Sequence, residues 1–135
     1  MKGTTIVMKE SSFQFKTPQL KKFVFEISDV FNTDGFNGFP VQSNIDIKEN
    51  QEDRTALVTL TLNIGEESSD YPFYSEIIMS SVFRWNENTK NINALLQENA
   101  PALLLSYMRP IISNAVNNAR LPAFDLPFMN FKKAE

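Results

Sequence analysis

The chain has no cysteine, no histidine, only four glycines and a single tryptophan among 135 residues. Without cysteine there is no disulfide framework and no thiolate nucleophile. Without histidine, the Ser-His-Asp, Cys-His and imidazole general-base schemes drop out, and the usual zinc ligand sets go with them. Gly3, Gly35, Gly38 and Gly65 are too widely spaced for a GxGxxG or Walker-type phosphate loop. Positive charge is also scarce. Against 16 acidic residues stand 13 basic ones, for a net charge of -3, and no basic run exceeds the pairs Lys21-Lys22 and Lys132-Lys133. Nucleic acid is therefore not an expected partner. No segment reaches the ~20 apolar residues that span a bilayer, and the opening MKGTTIVMKE lacks the apolar stretch of a secretory signal. Membrane insertion is not expected, and the chain reads as cytoplasmic. With the usual catalytic constellations missing, neither enzyme activity nor a cofactor is expected.

What is abundant is phenylalanine, with 12 copies. Phe brings a large apolar area and no polar handle, so a chain of this size must bury its phenylalanines in a thick core or spend some on a partner surface. The length fits one domain, residues 1–135, able to bury a substantial core. Asn32-Thr33-Asp34-Gly35 looks like part of a calcium loop, but Val30 and Val41 would then stand at its first and twelfth positions, so it reads as a turn. The acidic residues Asp46, Glu49, Glu52 and Asp53 are interleaved with Lys48 and Arg54 and read as a solvated loop.

The first two thirds of the chain have the period of strands. Over residues 54–64, Ala56, Val58, Leu60, Leu62 and Ile64 alternate with Thr55, Thr59, Thr61 and Asn63, which predicts a strand with one core face. After the turn at Gly65, residues 73–85 predict a long strand with apolar side chains on both faces. Upstream, Phe23, Phe25, Ile27 and Phe31 share one face, as do Val41, Ser43, Ile45 and Ile47, with the turn-rich NTDGFNGFP between the two runs. Short connections predict an antiparallel meander, to which IVMKESSFQF at residues 6–15 adds an edge segment. From Ile92 the period becomes helical, predicting a short helix at about 90–98 and a long one at about 100–119, with Asn99 as its N-cap, Pro101 in its first turn and a bend at Pro110. The following LPAFDLPFMNFKK is barred from regular helix by Pro122 and Pro127 yet is too apolar for a free tail. It predicts a strap docked along the domain.

The helix and strap together carry a family resemblance. Asn99-Ala-Pro-Ala-Leu-Leu-Leu-Ser-Tyr-Met-Arg109, then Ile112-Ser113, then Leu121-Pro122-Ala-Phe124-Asp-Leu126-Pro127 through Phe131 resemble the helix and following segment of the SecB family of chaperones. Ile64-Gly65-Glu66-Glu67 is similar to that family's turn between its last two strands, and Phe39-Pro40 to its entry into an earlier one. The similarity is collinear over roughly residues 10–131. It implies an α+β fold, a four-stranded antiparallel sheet with helices packed on it, assembled as a homo-oligomer: a dimer, or a dimer of dimers joined through helices and sheet edges. It also implies ATP-independent holding of unfolded or partly folded polypeptide clients in apolar grooves. By position, the groove would take Phe39, Trp85, Tyr107, Met108, Phe124, Phe128 and Phe131; core or subunit-interface packing is the alternative for each. In export chaperones of the family, an acidic outer face meets the translocation ATPase. Glu76 matches one of those acids and Glu26 a second, while Lys22 falls where another acid would stand. The sequence ends at Glu135, short of the family's further helix and docking tail, so the resemblance is to a short form in which client holding is expected without that tail. Family members dedicated to other clients, such as those linked to toxin-antitoxin systems, imply the other reading: a module serving one protein partner or a small apolar ligand.

Overall fold

The computed structural model describes residues 12–29, 40–66 and 71–121, together with Leu126 and Phe131. Its centre is the strand whose alternation was cleanest. In β4 (Thr55–Ile64), Ala56, Val58, Leu60, Leu62 and Ile64 are buried, while the intervening side chains face the other way. β5 (Phe73–Trp85) pairs antiparallel along its length, with Leu60 opposite Met79 and Leu62 opposite Ile77. Its core-side positions Phe73, Ser75, Ile77, Met79, Ser81, Phe83 and Trp85 are buried as the register requires. Tyr74, Ile78 and Val82 lie on the outer side of the sheet, which explains why neither face of this strand is polar.

Five strands form the sheet, not four, and their order departs from a simple meander. β3 (Val41–Asn50) pairs β4, and β4 pairs β5, as consecutive hairpins. Beyond β5, however, lie both β1 (Phe13–Phe15) and β2 (Gln19–Ile27), end to end along one edge. The chain therefore crosses from β2 at one edge to β3 at the other. Hydrophobic alternation could not reveal this, because it fixes which face a residue takes and leaves open which strand lies beside it. The two edge pieces are separated at Lys16-Thr17-Pro18, where Lys16 N–H still reaches Val82 O at 3.0 Å, and a second irregularity falls between Leu20 and Lys22. Ser75 Oγ donates to Val24 O at 2.7 Å and Ser81 Oγ to Lys16 O, so two buried serines clamp the edge segments to β5. At the other end of β5's hairpin, Gly65 takes φ 72 and its N–H bonds Pro40 O at 2.9 Å.

The helical third is one rod. α1 (Ile92–Ala94) runs into a π-helical turn over Leu95–Asn99 and on into α2 (Ala100–Asn118) without a break. Asn99, expected to cap a separate helix, has helical φ -76 and ψ -41 and makes no side-chain cap bond. The rod begins at Asn91, which sits in the left-handed region at φ 61. The wide turn accounts for Pro101: the Ala100 N–H bonds Leu95 O five residues back, and the widening opens room for a proline ring that would crowd a regular α-turn. Pro110 rides the exposed side of α2. Leu104, Leu105, Met108, Ile112 and Val116 form the buried stripe, resting on β4 and β5. Of the strap, Leu126 is buried in the same core, and Leu121 and Phe131 pack against it.

Candidate functional site

Among the described residues, the helical rod covers the core side of the sheet chiefly over its central strands. α2 rests over β4 and β5, and the edge strand flanks that contact. Along its core side run Phe15, Leu20, Phe23, Phe25 and Ile27, every one of them partly or largely open to solvent. Leu20 is 45% exposed and Ile27 47%. The neighbouring wall comes from α2. Leu103, Tyr107 and Ile111 recur every four residues beside the buried stripe, and Tyr107 meets Phe15 edge to face with ring centroids 6.5 Å apart. Tyr107 is 40% exposed and Phe15 43%, so this contact marks a rim and not the interior. Phe15 in turn tilts against Phe83, on which Phe13 stacks at 5.4 Å; at the far end Phe25 stacks on Phe73 at 4.9 Å. The result is an apolar trough: floored by the edge strand, anchored into the core by two aromatic stacks and walled on one side by α2.

Of the groove residues expected from sequence, Tyr107 stands on this trough. Met108 is fully buried and Trp85 is 8% exposed, and in this subunit both belong to the core cluster. Phe131 packs against the core cluster. Phe39, Phe124 and Phe128 lie outside the described residues. The residues missed by position are Phe15, Leu20 and Ile27. Their signal was the face shared by Phe23, Phe25 and Ile27, which reads as ordinary core until the strand is placed at an edge.

Glu26 and Glu76 both lie on the outer face, Glu76 opposite Val24 and Glu26 opposite Tyr74. They are not equivalent. Lys22 Nζ reaches Glu76 Oε1 at 2.7 Å, whereas Glu26 is exposed. Hydrogen bonding and charge from Glu76 hold the Lys22 ammonium above its ordinary value of 10.5. A raised folded-state value means the pair's contribution is present below 10.5 and fades only as pH climbs through the raised value, so the pair is intact throughout the neutral range. The Glu76 charge is thus offset by Lys22, while Glu26 has no ion partner among the described residues. Among the described residues, no group of His, Cys, Asp or Glu could hold a metal ion, and no helix is long and apolar enough to cross a membrane.

A family model described as preprotein translocase subunit SecB matches residues 8–134. Among solved structures, the Mycobacterium tuberculosis Rv1957 SecB-like chaperone, in complex with a ChAD peptide from the Rv1956 HigA1 antitoxin, superimposes with TM-score 0.69 at 9% identity, covering 87% of this chain and 91% of that one. A protein of unknown function from Streptococcus agalactiae gives TM-score 0.53 at 12% identity, over 86% and 97% of the two chains. No curated protein sequence matches significantly. At such identities the likeness to the two structures shows the fold alone.

Proposed function

The chain belongs to the SecB family, whose model spans nearly all of it, and from that premise we propose that it is an ATP-independent chaperone holding non-native polypeptide in the trough between the edge strand and α2. The observation that carries this reading is the row of large side chains left near half-exposed at Phe15, Leu20, Ile27 and Tyr107. A monomer that bound nothing would gain by covering them. Apolar contact of this kind is non-directional, so it suits extended chains of varied sequence. A cytoplasmic homo-oligomer, dimer or dimer of dimers, is part of the same proposal.

Whether clients are general or dedicated divides two versions of it. The SecB-like neighbour is bound to an antitoxin peptide, which supports recognition of polypeptide by this scaffold and makes a single dedicated partner the second reading. The Lys22–Glu76 pair favours it, because it offsets one of the two acids, Glu76, through which a translocation ATPase would make contact.

The test is suppression of client aggregation by light scattering at stoichiometric amounts. Leu20→Asp with Tyr107→Asp removes ~1–1.5 kcal/mol of apolar contact at each half-open position, so client affinity should fall at least about tenfold while the thermal melt stays close to wild type. Met108→Asp should behave differently: it buries a charge in a filled core, costing about 3–5 kcal/mol, and should unfold the subunit. A wild-type protein that leaves aggregation unslowed, or a double variant that holds clients as well as wild type, would remove the trough from the proposal.

A further inference from the structure

The outer face of the sheet carries a second surface with a charge of its own. At the end where β1 joins β5, Gln14, Lys16, Thr55, Val82 and Arg84 line a cavity of about 340 Å³ together with Phe15. Gln14 and Thr55 are the cross-strand partners of Arg84 on either side, and Arg84 Nη2 donates to Gln14 Oε1 at 2.6 Å, which holds the guanidinium over the edge strand. That bond uses one of five N–H donors. Among the described residues the ion pairs are Lys22–Glu76 and Arg54–Glu87, so neither Lys16 nor Arg84 is matched by a described carboxylate, although the chain as a whole is acidic. Two cations lining one cavity repel each other, and an anion between them removes the repulsion.

The cavity does not stand alone. Beside Val82 lies Leu57, its cross-strand partner and 38% exposed, and further along the same face, past Ser80 and its partners Gln19 and Thr59, stand Ile78 and Val24. An inorganic anion would satisfy the cations and leave these apolar side chains bare. We propose that the outer face docks an acidic, amphipathic polypeptide segment, its carboxylate between Lys16 and Arg84 and its apolar side chains on Val82, Leu57 and Ile78. Apart from Phe15, which borders both, the surface faces away from the trough, so it can be occupied while a client is held. The preference for acid is the reverse of what an acidic outer face would select, and it follows from where the unmatched charges lie.

Fluorescence anisotropy with a labelled short peptide of alternating leucine and glutamate, set against its glutamine and lysine counterparts, tests the assignment. The glutamate peptide should bind about threefold to tenfold tighter than the glutamine one, the worth of a charge-assisted contact at a partly open site. The lysine peptide should bind weakest. Raising ionic strength from roughly 0.05 to 0.5 M should erode the glutamate preference. Lys16→Gln with Arg84→Gln should abolish it, with the glutamine-peptide affinity and the thermal melt unchanged, since both side chains are exposed. Equal affinities in the wild type, a preference that survives the double variant, or binding of no peptide would overturn the assignment. A glutamate preference in a protein that fails to suppress aggregation would retain this surface and remove the holdase reading.

Discussion

Arg120 occupies a position that usually goes to glycine. It ends α2 at φ 62, with its own N–H on Asn117 O at 3.1 Å and the next, from Leu121, reaching back to Val116 O at 3.2 Å. These are the paired bonds of a Schellman stop, and an L-residue with a Cβ holds the left-handed turn at some cost. Arg120→Gly should stabilise the chain by about 0.5–1 kcal/mol, raising Tm by a few degrees, measured by urea or thermal denaturation. A loss of stability would mean that the Arg120 side chain contributes more than its backbone strain removes. The same scale shows what alternation can and cannot convey. Ser75 and Ser81 were visible as breaks in an otherwise apolar face, yet nothing near them in the sequence indicates that Val24 O and Lys16 O receive their hydroxyls. Met108 illustrates the opposite limit: helical period marks it as apolar, and only the packing of α2 shows that it is sealed.

At the scale of elements, the strands over 41–50, 55–64 and 73–85 were legible because each carries its own period and turn signals. Their neighbours were less so. The pairing of β2 with β5 joins residues far apart in the chain, with no local signal for it, and the trough is a consequence of that pairing. The π-turn was likewise hidden, since Asn followed closely by Pro reads as a helix start and here lies inside a continuous rod. β2 pairs β5 on one side and, among the described residues, has no strand on the other. Its amides should accordingly exchange at least about tenfold faster than those of β4 and β5, followed by hydrogen-exchange mass spectrometry. Equal protection would show that the edge is sealed in solution.

For the whole molecule, the open apolar rows on both sides of the sheet argue against a solitary subunit. Multi-angle light scattering should return an integral multiple, two or more, of the 15.4 kDa chain mass, and a monomer at micromolar concentration would set aside the oligomeric part of the proposal. The interruption at Lys16-Thr17-Pro18 and the irregularity between Leu20 and Lys22 have a bearing on safety as well as shape. A long, flat, greasy border is the template on which misfolded chains stack into fibrils, and a protein that handles such chains offers them one at every encounter. Here proline removes an amide, the irregularity breaks the register, and the exposed Lys21 charges the border. Under the proposed function, side chains would grip an aggregation-prone partner while the border denies it an unbroken ladder to copy.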